Sequence, residues 1–533
     1  WARLRDLLAA LAADPRFALV TPSEALARHP PAEPALRLES AAAPVPAKKQ
    51  ARYNVTRWAV CGRDNVRLNA RCHALARRLE VVAALERVGR GAVPVGEGTL
   101  VRHADELARL WGSDFRTHTT DERAADAAAR TGALGAALDR LVARLEPHVL
   151  PLSLASGEVA LFNPHPTPWA GWPVAVHVRF PPGLVRGGLR VEADGHEVAA
   201  QAEEVEIYRD GSWRSALVVV APVVPALGVV RLACGTGPAP APAGAGAPAR
   251  IDTASASVVL SARRGATLRT LAFPRLAAAP LAGTVAQGAF TPIELAADWY
   301  SGHVVLHDAA GTKHTDLEAT ALVPLAAPEA CPIRIPVAAR LAGAFGELWK
   351  TVYVYRDVAR VDVRYDFAFR DQRPRSLRVG ALTLDPAAFA PGRLRYATVN
   401  GGRDVEIFPL GATRVQQHEP VSLAVSARGC LGATEGWVDL GDAEKGVVVA
   451  FDPATLAVAP MVQHEPAGDR ALTRLFLSLA ESDETAAPFF RGRTTFTVAY
   501  LGRGADLAAA RRQAVGAARG LHVLRPVGEA HGG

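Results

Sequence analysis

The stretch Val361-Asp-Val-Arg-Tyr-Asp-Phe-Ala-Phe369 decides how the larger part of this chain folds. A period of two puts Val361, Val363, Tyr365, Phe367 and Phe369 on one face of an extended strand, with Asp362, Arg364 and Asp366 on the other. Val352 and Val354 alternate with Tyr353 and Tyr355 just before it, and Val174, Val176 and Val178 alternate far upstream. Turn residues punctuate these runs at Asp194-Gly195, Asp210-Gly211, Asn400-Gly401-Gly402 and Gly436. Residues 251–505 therefore read as a large antiparallel β-sandwich, and 151–235 as a first β subdomain. The Pro/Ala/Gly-rich residues 236–250 form the linker between them.

Upstream the period becomes helical. Val66, Leu68, Cys72, Leu75 and Leu79 mark one helix, and Leu100, Val101, Ala104, Leu107, Ala108 and Trp111 a second. A third starts at Thr120-Asp-Glu and runs through Leu134, Leu138, Leu141 and Leu145 to Pro147, so residues 51–150 read as a three-helix bundle. Residues 29–50 are a Pro- and Ala-rich linker. In residues 1–28, Leu4, Leu7, Leu8 and Leu11 recur at helical spacing. Phe17-Ala-Leu-Val20 reads as a strand, and Thr21-Pro-Ser-Glu24 as a capping box with proline at the first helical position. This segment is expected to be the C-terminal remnant of a (β/α) barrel whose earlier part precedes Trp1. Residues 506–533 read as a helix followed by a frayed tail. The expected fold class is multidomain α+β.

Composition narrows the function. At 533 residues, 49% hydrophobic and 21% charged, the chain is an ordinary globular protein of several domains. The net charge is +7, carried by arginine, with lysine only at 48, 49, 313, 350 and 445. These cations are scattered among acids, which argues against a nucleic-acid partner. The longest apolar run, 216–230, contains Pro222 and Pro225 and reads as strand, turn and strand rather than a membrane segment. Cys61, Cys72, Cys234, Cys331 and Cys430 show no zinc spacing. They are expected to be buried free thiols of a reducing compartment, which makes the cytoplasm the expected location. His165, His177, His314, His418 and His464 have no ligand spacing, and Gly244 and Gly246 lack the strand–helix context of a phosphate loop. No metal or cofactor is expected.

The order of barrel end, helical bundle and long sandwich resembles bacterial glycoside hydrolases of family 57 and, more distantly, the family 38 α-mannosidases. The local similarity lies in Tyr53-Asn-Val-Thr-Arg-Trp58 with Gly62-Arg-Asp64 and Asn69, and in Leu110-Trp-Gly-Ser-Asp-Phe-Arg-Thr-His118. Leu161-Phe-Asn-Pro164 and Val224-Pro-Ala-Leu-Gly228 look like strand entry and turn of a mannosidase-like C-terminal region, with a sandwich of the galactose mutarotase-like type. The resemblance implies a retaining α-glycosidase or α-glycan transferase acting on oligo- or polysaccharide. Its two carboxyl groups, about 5–5.5 Å apart, would sit on barrel strands ahead of Trp1, so no nucleophile or acid/base is assigned within this sequence. The implied partners are a carbohydrate and the chain's own barrel, and the chain alone is expected to fold without glycosidase turnover. Two other readings stay open: a non-catalytic glycan-binding or scaffold sandwich, and the C-terminal part of a polysaccharide deacetylase-like enzyme.

Two constellations are candidates for substrate contact. Trp111, Asp114, Arg116 and His118 place an indole, a carboxylate, a guanidinium and an imidazole at a helix end, where the resemblance implies a sugar subsite. The same residues also read structurally, with Arg116 paired to Asp114 and Thr117–Thr120 capping the next helix. Asp298, Trp299, Tyr300 and His303 place aromatics beside an acid at a glycine-containing turn, a pattern that serves a glycan cleft or a sandwich core. Arg57 and Asp64 read either as cleft residues or as an ion pair, with Asp64 capping the first bundle helix.

Overall fold

The structure is a computed structural model that describes residues 2–29, 59–89, 95–96, 98–116, 119–149, 154–239, 249–286, 298–411, 432–482 and 488–524. The chain divides into two compact units, Trp1–Ser40 and Ala41–Gly533. Tyr53–Trp58, His118 and Cys430 lie outside the described residues.

In the first unit, helix α1 spans Ala2–Ala13 and α2 spans Pro22–Arg28. The Thr21 hydroxyl accepts the Glu24 N–H at 3.2 Å, and the Glu24 carboxylate accepts the Thr21 N–H at 2.7 Å, a complete capping box. The expected strand at Phe17–Val20 does not form. These residues pair with no strand among the described residues, and Phe17 and Leu19 are 53% and 54% exposed. A strand is held by the amides and carbonyls of a neighbour, and none is described here. The barrel remnant is therefore not shown.

In the second unit, α3 (Asn65–Val88), α4 (Thr99–Leu110) and α5 (Asp121–Val149) share one apolar core. Cys72, Leu85, Leu110, Leu138 and Val142 fill it, together with Phe162 and Leu524 from strands. Asp64 occupies the N-cap position of α3, but its side chain meets Arg67 at 3.3 Å rather than capping the helix. Thr120 does cap α5, accepting the Arg123 N–H at 3.3 Å.

A five-stranded sheet follows, in the order His522–Leu524, Glu158–Phe162, Val229–Thr236, Leu189–Ala193, His196–Val198. Its last hairpin turns on Asp194 and Gly195, both with positive φ (47° and 83°), as a two-residue turn of that hand requires. The Gly-rich end expected to fray lies outside the described residues, but the short strand His522–Leu524 before it went unread in the sequence. After α6 (Leu507–Arg519) the chain returns to pair with Glu158–Phe162, and a run of three residues has no periodicity to read.

The sandwich consists, among the described residues, of two nine-stranded antiparallel sheets. The Val361–Phe369 stretch lies in the strand Arg360–Gln372 of one sheet, and its five apolar side chains enter the core between the sheets. The other sheet is centred on Ser376–Leu384, which pairs with Arg470–Glu481 on one side and with Val305–His307 and Ala282–Gly283 on the other. Leu377, Val379, Leu382 and Leu384 face the core, whereas Ala381 joins Val305, Met461 and Phe476 on the opposite face. Gly380, at φ 61°, sits where the register shifts, and this irregularity lets residues 379 and 382 face the same way. That opposite face carries the second candidate constellation.

Cys61, Cys72, Cys234 and Cys331 are buried and form no disulfide among the described residues. No helix among the described residues is long and apolar enough to cross a membrane.

Candidate functional site

The first constellation begins where α4 ends. Trp111 closes the helix, and Ser113–Phe115 form a single 3₁₀ turn. Arg116 is buried and turns inward: its Nε donates to Asn69 Oδ1 at 2.8 Å, and its Nη1 to the carbonyls of Leu110 (2.7 Å) and Gly112 (2.9 Å). Nη2 approaches the Cys72 sulfur at 3.8 Å. The guanidinium thus satisfies the carbonyls that a helix C-terminus leaves open. The expected Arg116–Asp114 ion pair is absent among the described residues, and Asp114 is exposed on the turn. Trp111 is 38% exposed, with Arg116 over its ring at 5.2 Å and His73 edge-on at 4.9 Å. Burial, reinforced by Arg519, pulls His73 down to about 4. Arg116 is a structural clamp, and Trp111 and Asp114 are what this turn shows to solvent.

The second constellation is held from below. Trp299 exchanges backbone hydrogen bonds with Val285 at 2.8 and 2.9 Å, the Gly302 N–H donates to Ala381 O at 2.7 Å, and the Ser301 hydroxyl donates to Gly283 O. Gly302, at φ 75°, receives the Tyr365 hydroxyl on its carbonyl at 2.9 Å. Deeper in the core, the Val304 N–H donates to Asp316 Oδ1 at 2.8 Å, and Asp316 Oδ2 meets Lys350 Nζ at 2.5 Å, both side chains fully buried. Lys350 also donates to Gly265 O at 2.7 Å. A Cβ on Gly265 would lie 1.8 Å from the Asp316 carbonyl oxygen, so only glycine lets this backbone approach.

Above this base the side chains sort themselves. Tyr300 donates its hydroxyl to Asp298 Oδ2 at 2.7 Å, and burial together with that carboxylate raises its phenol above the ordinary value. His303 is buried at 5% exposure between Tyr300 (6.0 Å) and Phe476 (5.4 Å), and its Nδ1 has no hydrogen-bond partner. Burial, then the charges of Arg474, Lys350 and Lys313, hold it well below its ordinary value and hence neutral. Trp299 offers no open platform to a sugar: it is 9% exposed, and the Arg474 guanidinium covers its ring at 3.9 Å.

Arg474 is the residue that sequence reasoning missed. It lies largely buried against both Trp299 and Phe476 (4.5 Å), and Nη2 donates to Gln463 at 2.9 Å. Among the described residues its Nε is buried without a partner, and its Nη1 has no acceptor. Burial, then repulsion from Arg378, pulls the group down to about 9. The available signal was its place two residues from both Leu472 and Phe476, a charge on an otherwise apolar face. The structure thus links Asp298 to Tyr300 and Tyr300 to His303, and sets Arg474 over Trp299 within electrostatic reach of His303. It does not join them to Trp111 and Asp114, which belong to the helical part of the chain.

A cavity of about 460 Å³ lies elsewhere, lined by Arg77, Arg334, Arg360, Asp362, Asp452 and Arg519 among others. Its cations are already matched: Arg77 to Asp452 (2.6 Å), Arg334 to Glu203 (2.7 Å), Arg360 to Asp362 (2.8 Å) and Arg519 to Glu80 (3.1 Å). It reads as a neutralised seam. No group of three or more His, Cys, Asp or Glu side chains among the described residues is placed to hold a metal ion.

No family model matches the chain, and no curated protein does. Its fold is that of glycosyl hydrolase family 38 structures. It is similar to an alpha-mannosidase from Enterococcus faecalis V583 (TM-score 0.55, 11% identity, covering 86% of this chain and 57% of that one). It is likewise similar to a protein in glycosyl hydrolase family 38 from Enterococcus faecalis (TM-score 0.52, 12% identity, covering 87% and 60%). The chain thus spans less than two thirds of the length of either. These likenesses give the family 57 resemblance no support.

Proposed function

We propose that this chain is the C-terminal part of an α-glycosidase or α-glycan transferase, with a galactose mutarotase-like sandwich that contributes carbohydrate contacts rather than the reacting carboxylates. The observation that carries this reading is the turn Asp298–His303. A phenol hydrogen-bonded to a carboxylate shares the turn with Trp299, over which lies a guanidinium with an unmet donor, on a base fixed by the buried Lys350–Asp316 pair. Donors and acceptors held in place before a ligand arrives are what recognition of sugar hydroxyls needs. The family 38 fold supports the carbohydrate class. On this reading Trp111 and Asp114 form a second exposed contact surface.

Calorimetric titration of the chain with methyl α-D-mannopyranoside and an α-linked mannobiose tests the proposal. Saturable binding is expected, weakened about tenfold by Tyr300→Phe, which removes the hydroxyl that positions Asp298. Heats of dilution only, for every α-mannoside tried, would contradict it. The chain alone is expected to release no nitrophenol from an aryl α-mannoside.

A further inference from the structure

We propose that the site around Tyr300 and Arg474 takes a saccharide bearing an anionic substituent, a carboxylate or a phosphate, rather than a neutral sugar. The inference rests on the carbohydrate reading above and deepens it. Three cations act on the turn, and none has an ion-pair partner among the described residues. Arg474 lies over Trp299, Lys313 is within electrostatic reach of both Arg474 and His303, and Arg264 is within reach of Tyr300. Arg378, on the same sheet, differs: its Nε is matched by Glu481 at 2.8 Å. Of the nearby acids, Asp298 accepts from Tyr300 and Glu465 from Gln463 at 3.3 Å, and the Glu465 charge offsets that of Arg474 only in part, since the group still falls to about 9.

A cation kept largely out of water without a carboxylate is unfavourable unless something else supplies the negative charge. Arg474 is held in that state by two aromatic rings and one amide, with Nε and Nη1 lacking an acceptor among the described residues. The orphaned Nδ1 of His303, buried next to it, is a second polar atom with an unmet bond. A planar guanidinium with an open edge suits the two oxygens of a carboxylate or phosphate. Lys313, exposed on Lys313–Thr315 and paired in register with His307, would supply the second positive charge. Tyr300 and Asp298 would then face the ring hydroxyls.

Calorimetry on the full chain, at low and moderate salt, compares methyl α-D-mannopyranoside, mannose 6-phosphate, a hexuronate and inorganic phosphate. One or both charged sugars should bind at least about tenfold tighter than the neutral glycoside, and the stronger of the two identifies the substituent. Lys313→Ala, at an exposed position, should weaken the charged sugars about threefold or more and leave the neutral one unchanged. Arg474→Lys should weaken them further by removing the planar fork. Equal affinity for neutral and charged sugars would overturn the inference and leave the carbohydrate reading standing. Inorganic phosphate binding as tightly as the sugar phosphate would overturn it and count against a sugar site as well. No binding by any probe would sink both.

Discussion

Two arginines, Arg116 and Arg474, each lie over a tryptophan, each kept from water and each without a carboxylate. Arg116 is closed: Asn69, Leu110 O and Gly112 O accept from it, and the helix end it caps carries partial negative charge. Arg474 is open, with one amide accepting from it and with Nε and Nη1 lacking an acceptor among the described residues. Similar chemistry therefore serves two ends. A cation whose every hydrogen bond is met within the chain belongs to the fold, and one with unmet bonds above a fixed base is available to a ligand.

The largest expected effect lies beneath the open site. Lys350→Met leaves Asp316 charged and buried alone and should reduce stability by about 3–5 kcal/mol in urea unfolding. Adding Asp316→Leu should restore most of the loss. If the double variant is no better than the single one, the pair is not what fixes the turn.

At the closed site, Arg116→Met strands two carbonyls and Asn69, and a loss of about 3 kcal/mol is expected. A loss under about 1 kcal/mol would place Arg116 with Arg474 rather than apart from it.

One histidine, His73 of α3, packs against the first turn and another, His303, lies in the second, and both are kept neutral, which gives a pH dependence. A histidine whose folded value is depressed stays neutral in the fold, while the unfolded chain takes up a proton near its ordinary value. Stability should be full above about pH 6.5 and fall as pH drops towards about 4, where His73 itself titrates. For His73 the fall is at most roughly 3 kcal/mol, and His303 adds in the same direction. His73→Phe should flatten its share of the slope in denaturant melts at a series of pH values. An unchanged slope would show that His73 is protonated in the fold.

The smallest effect is expected at Asp114. Exposed and without an ion-pair partner among the described residues, it should change stability by less than about 0.5 kcal/mol on replacement by Ala. A larger loss would make the whole Trp111–Arg116 turn structural.

What could be read from sequence follows from how local each signal is. The strand at Val361–Phe369 and the box at Thr21–Glu24 are written in neighbouring residues, and both appear. The strand at Phe17–Val20 needed a neighbour, and apolar residues alone do not provide one. His522–Leu524 exists because Glu158–Phe162 offers it an edge more than 350 residues away. The Asp298–His303 turn was legible as a cluster, but its key was not. Arg474 and Lys350 looked like ordinary strand charges until the pairing of Arg474 beside Gln463, and of Lys350 against Asp316, showed which way each side chain faces.

The central claim, that Arg474 is held for a ligand and not for the fold, is tested most directly by equilibrium urea unfolding of Arg474→Met beside the parent chain. Burial, then repulsion from Arg378, pulls Arg474 down to about 9, an unfavourable placement that exceeds what the guanidinium gains over its rings. The variant should therefore be at least as stable as the parent, with an unchanged m-value. A loss of stability matching that of Arg116→Met would contradict the account and make both arginines parts of the scaffold.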